Sequence, residues 1–572
     1  MSIWKVYAKK ADFYGIGKKY NIDPIIARVI RNRGVIEEKD IDMYLSNGEE
    51  SLKILHNPRI LLNMDKAVSI IKEKISLRSK IRIIGDYDID GICSIYILYK
   101  ALEKIGANVD YVIPHRITDG YGINENLIFQ AKEDGIDTII TCDNGIAAIE
   151  QIAYAKKLGM TMIITDHHDI PYIEENNERI YLTSEADAII NPKQKECTYP
   201  FKMLCGAVVA FKLVQVLYEE YGIPELELSE LIEFAAMATI GDIVDLQDEN
   251  RVIVKLGLNK IKNTKNLGLK ALIDLCGIDK ENISTYHIGF VIGPCLNASG
   301  RLDTAERALQ MLLEKDEKKA YELAGDLKAL NDERKDMTQK ELVKGLEIVE
   351  KNGLNSDKVL VVYLSECHES LAGIIAGRIR EKYYKPTIVL TKAEEGVKGS
   401  GRSIDSYNMF EEISKCKELL LKFGGHPMAA GMSLLEGNVE NFRKKLNQCA
   451  ELSESDLTKV TWIDVAMPVD YVTMDLVKQL FVLEPFGKSN EKPIFADNNL
   501  IVKNSYLIGK NKNVLKITFE NERGNIIEAI SFNGSEENIP VRGEKKSILY
   551  YPNINFYNGR SSLQFNIIEM SE

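Results

Sequence analysis

The stretch KIRIIGDYDIDG at residues 80–91 places a run of apolar, mostly β-branched residues directly before three aspartates spaced two apart. Because the apolar stretch CSIYILYKALEKIG follows at 93–106, the pattern predicts a buried strand, a polar loop and then a helix. It recurs at GIDTIITCDNG (135–145), before the helical stretch IAAIEQIAYAKKLG (146–159), and at GMTMIITDHHD (159–169). This alternation predicts a parallel sheet covered by helices.

Acidic or imidazole side chains follow each of these predicted strands. In an open parallel sheet, ligands bind beyond the carboxyl ends of the strands, where such groups would meet. A fourth apolar segment, EFAAMATIGDIVDL at 233–246, is expected to deliver a further aspartate in the same manner. Clustered carboxylates repel one another in a partly buried crevice, and divalent cations relieve that repulsion. The core of the predicted metal site is Asp88, Asp90, Asp143, His167 and Asp242.

The mixture of ligand types indicates which ions would bind. Carboxylates suit Mn²⁺ or Mg²⁺, and imidazole shifts the preference toward Mn²⁺. Asp88 and Asp90 could each face a different ion, and Asp143 is the candidate bridging ligand. Two ions about 3.5–4 Å apart would clamp the attacking and leaving oxygens of a phosphoryl displacement. The D-x-D-x-D-G run alone resembles the start of a calcium loop, but the glutamate that closes such a loop is missing.

The bulk properties limit the class of protein. A chain of 572 residues is too long for one core, so three or more domains are expected. Without an apolar run of eighteen residues, no membrane-spanning helix is expected. The nine cysteines lack CxxC spacing, which predicts reduced thiols in a cytoplasmic protein without a zinc site. The net charge of -12 weighs against a general nucleic-acid binder, although a local basic groove is compatible with it.

The pattern along the chain predicts five regions. A helical cap occupies 1–75, and the first α/β region occupies 76–315. A long charged helix at 316–353, with Gly353 as its C-cap, connects to a second α/β region at 354–455. That region is predicted to contain two strands, KVLVVYL and KPTIVLT, and a helix between them, LAGIIAGRIREKYY. Short strands with Asn/Gly turns at 456–572 predict a small β-barrel.

Several motifs carry a family resemblance. Four motifs stand in the order found in the DHH phosphoesterase superfamily: GDYDIDGICS, TCDNG, TDHH and ATIGDIVDL. The superfamily is named for an Asp-His-His triplet, which in this sequence lies at 166–168. The chain resembles this superfamily, and within it the single-strand-specific exonucleases, over nearly its whole length. Further matching motifs are IPHRITDGYGIN, LNASGRL, GSGRS, LKFGGHPMAAGMS and LEPFGKSNEKPIF.

The resemblance implies a fold and a set of residue roles. It implies two α/β domains, DHH and DHH-associated, joined by the long helix and followed by an OB-type β-barrel. His368 stands where the family often has an aromatic residue and Pro-Gly around its histidine, so its role is in doubt. The implied roles are metal ligation by Asp88, Asp90, Asp143, His167 and Asp242, support from Asp86, contact with the scissile phosphate by His168, binding of the 5′ end and its phosphates by Arg116, Arg301, Ser400 and Arg402, and a position facing the cleft for His426.

The implied activity is metal-dependent hydrolysis of single-stranded DNA from 5′ to 3′, releasing mononucleotides, in DNA repair and recombination. The implied cofactors are two divalent ions, Mn²⁺ or Mg²⁺. The implied partners are single-stranded DNA, a helicase and a single-strand-binding protein, with no membrane. Three alternatives stay open: a DHH phosphodiesterase for short oligonucleotides or cyclic dinucleotides, a pyrophosphatase with a similar metal site, and a non-catalytic DHH scaffold in a replication assembly. The β-rich tail weighs against the first, and the intact ligands weigh against the scaffold.

Overall fold

The computed structural model describes residues 2–46, 52–116, 118–175, 178–532, 534–557 and 559–571. The residues outside these ranges include part of the predicted helical cap and three positions of the predicted barrel. The chain divides into two compact units. The larger unit comprises 4–293 and 461–572, and the smaller comprises 1–3 and 294–460. Within the described ranges, no helix is both long enough and apolar enough to span a membrane.

The larger unit begins with a segment, up to residue 293, of mixed helices and strands. The strands are β1 (Ile3–Val6), β2 (Lys80–Ile84), β3 (Asn108–Val112), β4 (Thr138–Cys142), β5 (Thr161–Thr165), β6 (Tyr172–Glu175), β7 (Glu178–Tyr181) and β8 (Ala188–Ile190). The helices are α1 (Phe13–Tyr20), α2 (Pro24–Asn32), α3 (Glu38–Leu45), α4 (Met64–Ser76), α5 (Ile89–Lys104), α6 (Glu125–Glu133), α7 (Ile149–Lys157), α8 (Gly206–Glu220), α9 (Glu225–Ser229), α10 (Ile232–Gly241), α11 (Asp248–Lys262), α12 (Leu267–Leu275) and α13 (Thr285–His287).

A parallel five-stranded sheet with strand order β3-β2-β4-β5-β8 organises this segment. Residues Ile83 and Ile140 of its central strands are fully buried, because helices cover both faces of the sheet. The predicted parallel sheet is therefore confirmed. Its order places the carboxyl ends of β2, β4 and β5 side by side, so the three acidic loops that follow them are neighbours.

The fourth predicted segment differs from the other three. Residues 233–246 were expected to deliver Asp242 in the manner of the strands, but the segment forms α10, and Asp242 is the C-cap residue of that helix. Its core, Phe-Ala-Ala-Met-Ala, is rich in strong helix formers. Because α10 packs against α5, α8 and α11, it is apolar on every side, and an unbroken apolar run does not distinguish a buried helix from a strand.

The smaller unit carries a second sheet with strand order β12-β13-β11-β10-β9. The pair β9–β10 is parallel and the other pairs are antiparallel. Its strands are β9 (Leu360–Tyr363), β10 (Thr387–Lys392), β11 (Val397–Arg402), β12 (Leu420–His426) and β13 (Ala429–Leu434). Its helices are α14 (Gly293–Leu302), α15 (Glu306–Leu313), α16 (Glu317–Lys351), α17 (Ala372–Tyr383), α18 (Met409–Ser414) and α19 (Val439–Cys449).

Most local predictions for this unit are confirmed. The long helix is α16, and Gly353 follows it with a left-handed φ of 64°. The predicted strands and helix at 358–391 are β9, β10 and α17. The GGHPMAAG stretch at 424–431 is mostly strand, because Gly424 and Gly425 of β12 pair with Gly431 and Ala430 of β13. Only the two residues between these strands form the turn.

The carboxyl-terminal part of the larger unit is a closed five-stranded β-barrel. Closure comes from the pairing of β16 with β19, in addition to the order β16-β17-β18-β20-β19. Its core also contains Ile26, Ile30 and Tyr44 of the amino-terminal helices. The elements are β14 (Val460–Ile463), β15 (Val465–Ala466), α20 (Met474–Leu480), β16 (Phe495–Ile508), β17 (Val514–Glu520), β18 (Ile526–Ser531), β19 (Lys545–Tyr557) and β20 (Arg560–Ser571).

One buried arginine fastens α11 to the segment that precedes the barrel strands. The Arg251 guanidinium donates hydrogen bonds to five backbone carbonyls, those of Tyr44 and of all four residues at 482–485, at 2.8–3.3 Å. It also lies 3.8 Å from the centre of the Tyr44 ring. Buried carbonyls need hydrogen-bond donors, so this one side chain on α11 satisfies groups from two other chain segments.

We predict that Arg251→Met destabilises the larger unit. Methionine fills similar space but removes the donor that the carbonyls of Val482 and Glu484 share, whereas Lys255 and Asn490 still donate to the other three. Each unsatisfied buried group costs about 1–3 kcal/mol. The apparent Tm should fall by roughly 5–10 °C, measured by differential scanning calorimetry. The control is Arg523→Met, because the Arg523 side chain is 80% exposed and exposed ion pairs contribute little. Equal Tm values for the two variants would contradict the role assigned to Arg251.

Candidate active site

The loop after β2 turns directly into α5 and presents its aspartates in different directions. Asp88 is the N-cap of α5, and its carboxylate accepts hydrogen bonds from the backbone N–H groups of Asp90 (2.9 Å) and Gly91 (3.2 Å). A Cβ at Gly91 would lie 2.3 Å from the carbonyl oxygen of Asp86, so the turn requires glycine. The glycine that ends the D-x-D-x-D-G run is thus required for a steric reason.

Asp90 caps a different helix, α8. Its carboxylate accepts hydrogen bonds from the N–H groups of Gly206 (2.6 Å) and Ala207 (2.7 Å), at the amino terminus of that helix. The positive end of the helix dipole and these two donors stabilise a buried negative charge. No signal in the sequence pointed to Gly206, which is a further member of the site.

Asp143 and His167 occupy the centre of the cluster. Asp143 has a left-handed φ of 60°, and its N–H donates to the carbonyl of Thr165 (3.0 Å). The His167 Nε2 atom lies 3.1 Å from Asp143 Oδ1, 3.6 Å from Asp90 Oδ2 and 3.7 Å from Asp242 Oδ2. The four side chains therefore meet at one point, although they come from four separate segments.

Three overlapping groups in this cluster could each hold a metal ion. In each group, one ligand atom per residue lies within 4.8 Å of the others. Among the described residues, the buried atoms Asp86 Oδ1, Asp143 Oδ1 and His167 Nε2 have no hydrogen-bond partner. Buried polar atoms without partners are costly, and a cation would satisfy all three. The groups are Asp86/Asp88/Asp143, Asp143/His167/His168 and Asp90/His167/Asp242.

The electrostatics of the cluster also favour a cation. Burial, together with the neighbouring carboxylates, raises the pKa of Asp86 and Asp143 well above the usual range. The same causes raise the pKa of Asp242 to about 8. Burial lowers the pKa of His167, which keeps its imidazole neutral and able to act as a ligand. A bound divalent ion would reverse the first effect and hold the carboxylates ionised.

Asp166 has a different environment from the other acids. Its carboxylate accepts hydrogen bonds from the N–H groups of Ile146 (2.9 Å), His167 (2.7 Å) and His168 (3.1 Å), and lies 2.7 Å from His168 Nδ1. Burial opposes ionisation, but these contacts outweigh it and lower the pKa of Asp166 to about 2. Burial likewise opposes charge on His168, yet Asp166 raises the pKa of His168 to about 9. The contact with Asp166 therefore orients the His168 imidazole and favours its charged form.

Two further residues lie on the rim of the cluster. The Tyr121 hydroxyl donates to the carbonyl of Asp143 (2.9 Å) and lies 3.2 Å from His168 Nε2. Sequence analysis did not single out Tyr121, although it stands within the quoted IPHRITDGYGIN motif. The predicted phosphate ligand Arg116 places its guanidinium 4.8 Å from the centre of the Tyr87 ring, in the loop that carries Asp88.

The other predicted phosphate ligands all lie in the smaller unit. The Arg402 Nη1 atom donates to Ser400 Oγ (2.9 Å), and a Cβ at Gly373 would lie 2.6 Å from Arg402 Nη2 and 2.9 Å from Ser400 Oγ. Arg301 Nη1 donates to the carbonyl of Ser370 (2.9 Å), three residues before Gly373. These side chains converge on the amino-terminal end of α17.

His426 and His368 flank this group. His426 and Arg402 both pair with Ala429 in the sheet, so they lie in one row across three strands and face the same side. His368, whose role the sequence left in doubt, accepts the N–H of Ser370 through Nδ1 (3.3 Å) and caps the turn before α17.

Models of three protein families match the chain. Residues 80–239 match the N-terminal domain of the DHH family, residues 356–452 match the DHHA1 domain, and residues 463–569 match the RecJ OB domain. The first match contains the described carboxylate and imidazole cluster except Asp242, and the second contains Ser400, Arg402 and His426.

Several named proteins are similar over nearly the whole of this chain. The chain is 38% identical to the single-stranded-DNA-specific exonuclease RecJ of Bacillus subtilis over 99% of this chain and 70% of the relative. It is 32% identical to the Escherichia coli protein of that name over 96% of this chain and 95% of the relative. The crystal structure of Thermus thermophilus RecJ with Mn²⁺ shares the fold, with a TM-score of 0.83, 24% identity and coverage of 100% of this chain and 79% of that chain. A crystal structure of exonuclease RecJ bound to manganese has a TM-score of 0.60 at 29% identity, over 69% of this chain and 96% of that chain.

We predict that Gly206→Ala weakens Mn²⁺ binding. The new Cβ would lie 2.6 Å from Asp143 Cβ and 2.8 Å from Asp143 Oδ1, so the carboxylate must move away. Changes behind a metal ligand typically reduce affinity by about 10–100-fold, which isothermal titration calorimetry would detect. Gly325→Ala in α16 is the matched control, because a Cβ there meets no atom within 4 Å. Unchanged affinity in Gly206→Ala would argue against Asp143 as a ligand.

Proposed function

The chain belongs to the RecJ family of single-stranded-DNA-specific exonucleases, and from that premise we propose that its carboxylate and imidazole cluster hydrolyses the phosphodiester bonds of single-stranded DNA from the 5′ end. The observation that carries this proposal is the convergence of unpartnered ligand atoms from Asp86, Asp143 and His167 in one buried crevice. The proposed reaction releases mononucleotides and serves DNA repair and recombination.

Two divalent ions, Mn²⁺ or Mg²⁺, are the proposed cofactors. One would be held by Asp88 and Asp143, and the other by Asp90, His167 and Asp242, with Asp143 shared between them and Asp86 in support. When bound, such ions activate water and stabilise the charge that develops on the phosphoryl oxygens. Asp143 belongs to two of the three candidate groups, and its Oδ1 lies 3.1 Å from His167 Nε2 of the third, which supports its assignment as the bridge.

The chain's own residues position the substrate and hold charge. His168, kept protonated by Asp166, can donate a hydrogen bond to a non-bridging phosphoryl oxygen through Nε2. Because Asp166 fixes Nδ1, the imidazole is oriented before substrate arrives. Tyr121 adds a second polar group beside the same ring.

Recognition of the 5′ end is assigned to the arginines and Ser400. Arg402, Ser400 and Arg301 gather at the amino terminus of α17, and a guanidinium fork together with a helix terminus is a strong phosphate site. Arg116 would hold a phosphate beside the metal cluster, and His426 would face the strand. The proposed partners are single-stranded DNA, a helicase and a single-strand-binding protein, and the proposed location is the cytoplasm.

We predict that Asp143→Ala abolishes the activity. Strands labelled separately at each end are incubated with Mn²⁺, and products are resolved by length. The unsubstituted protein should release the 5′ label first, as a mononucleotide, while the 3′-labelled strand shortens stepwise. Loss of the shared ligand should slow cleavage by about a thousandfold, equivalent to several kcal/mol of transition-state stabilisation. Asp65→Ala is the control, since that carboxylate is 65% exposed on α4.

The outcomes separate the alternatives. Full activity in Asp143→Ala would remove Asp143 from the site. Cleavage of dinucleotides alone would favour the short-oligonucleotide phosphodiesterase, and hydrolysis of pyrophosphate alone would favour the pyrophosphatase. An intact strand after incubation of the unsubstituted protein with Mn²⁺ would favour the non-catalytic scaffold.

We also predict that Arg402→Gln removes a preference for a 5′-phosphate. Initial rates on strands with a 5′-phosphate or a 5′-hydroxyl give the ratio of kcat/KM. A charge-assisted hydrogen bond contributes about 1.5–3 kcal/mol, so the variant should lose about 10–100-fold on the phosphorylated strand and little on the other. Arg378→Gln on α17, whose side chain is 60% exposed, should keep the preference. An equal loss on both strands would show that Arg402 does not read the 5′-phosphate.

A further inference from the structure

A groove of about 630 Å³ runs through the larger unit between α11 and the segment 481–486. Arg251 holds the carbonyls of 482–485 beneath it, and the Thr285 hydroxyl donates to the carbonyl of Phe486 (2.8 Å) where α13 meets the same segment. These hydrogen bonds hold α11 and α13, on one side of the groove, against the segment 481–486 on the other. The groove is therefore a fixed feature of the fold, formed where the first part of the unit meets the barrel part.

Exposed aromatic rings line and extend this groove. The side chains of Tyr286, Phe290 and Phe481 are 61%, 67% and 52% exposed. Tyr286 and Phe290 stack with ring centres 5.3 Å apart and planes inclined by 25°. Large aromatic rings held open to solvent on a rigid surface are a typical platform for stacking of nucleobases.

The charges in the groove are mostly positive, in a chain whose net charge is -12. Lys255, Lys262 and Lys492 line it, with Glu484 as the one carboxylate among the lining residues. Over the described part of the chain, none of the three lysines forms an ion pair. Lys255 instead donates to the carbonyls of Tyr44 and Ser46 (3.0 and 2.7 Å), and burial beside Arg251 lowers its pKa to about 7, so the positive charge of the groove comes mainly from Lys262 and Lys492. The local field therefore favours an anionic ligand.

The helical segment beside the groove also packs against the segments that carry metal-site residues. The helical segment that carries Tyr286 and Phe290 continues through the π-helical turn Ile288–Ile292. A Cβ at Gly289 would lie 3.5 Å from Ile240, two residues before Asp242. A Cβ at Gly293 would lie 3.3 Å from Ile89, between Asp88 and Asp90. The aromatic pair thus stands on the same helical segment that packs against the ligand-bearing segments.

We propose that this groove binds the single strand on the 3′ side of the scissile bond, with bases stacking on Tyr286 and Phe290 and phosphates contacting Lys262 and Lys492. The inference rests on the proposed function for the direction of the strand. The charge of the groove and its stacked rings match a chain of phosphates and bases. Such contacts are independent of base sequence, because every base has a π-face.

The test measures binding apart from cleavage. The full chain in EDTA is titrated into a fluorescein-labelled strand of about 25 nucleotides, a length that exceeds the about 4–16 nucleotides covered by one OB-fold, and anisotropy gives Kd. Tyr286→Ala/Phe290→Ala should weaken binding by about tenfold or more, since each lost base stack reduces affinity about five- to a hundredfold. Lys262→Gln should lower the slope of log K against log salt by about 0.7, the value for one phosphate contact on a single strand.

The matched controls lie on α1 of the same unit. Tyr14 is 81% exposed, and Lys18 stands one helical turn away on the surface. Tyr14→Ala and Lys18→Gln should keep the Kd and the salt slope of the unsubstituted protein. The affinity for Mn²⁺, measured by isothermal titration calorimetry, should be unchanged in Tyr286→Ala/Phe290→Ala, because neither ring belongs to the candidate metal-binding groups.

Each outcome decides one question. A Kd in EDTA equal to that of the unsubstituted protein would overturn the groove as a DNA site. A loss of Mn²⁺ affinity in Tyr286→Ala/Phe290→Ala would also overturn it, because the damage would then lie at the metal site. Failure of the proposed function looks different, since the unsubstituted protein would then leave every strand intact in Mn²⁺ while the loss of binding in EDTA persisted in the variants.

Discussion

Repulsion among buried carboxylates is the constraint on which the larger unit depends. Asp88 and Asp90 approach Asp143 and Asp242 in a crevice where burial already disfavours charge. The fold offsets part of this repulsion with helix termini: Asp88 caps α5 and Asp90 caps α8. No such donors reach Asp86 Oδ1 or Asp143 Oδ1 among the described residues. The remaining negative charge is therefore what a cation must neutralise, so the metal site and the helix packing are parts of one electrostatic arrangement.

Neutral side chains hold that arrangement in place without adding charge. The Asn144 amide donates to the carbonyls of Ile84 and Cys142 and accepts the N–H of Ile123, so it joins the ends of β2 and β4. Asn191 donates to the carbonyl of His168 (2.9 Å) from the end of β8. Amides can fix loops beside a charged cluster because they supply donors and acceptors without altering the local field. The sheet edge is therefore rigid where the ligands leave it.

Local sequence patterns predicted the strands, the long helix and five of the cluster's residues. Both signals, apolar periodicity and a polar residue at a strand end, involve only a few neighbouring positions of the sequence. The contacts between distant segments could not be predicted in this way. Asp90 and Gly206 are 116 residues apart, and their hydrogen bond depends on how α5 packs against α8. The segment before Asp242 is apolar on every side, so its sequence fits a buried strand as well as the helix α10. Nor could composition reveal that Tyr44 joins the barrel core, since that depends on packing between the two ends of the chain.

The division of the chain into compact units has a consequence for the proposed chemistry. The metal-ligand candidates, the barrel and the groove beside α11 all belong to the larger unit, which Arg251 fastens internally. Arg301, Ser400 and Arg402 belong to the smaller unit, where they converge on the start of α17. Under the proposed function, hydrolysis and the grip on the following strand reside in one unit, and recognition of the terminal phosphate resides in the other. End specificity would therefore be separable by mutation from strand affinity.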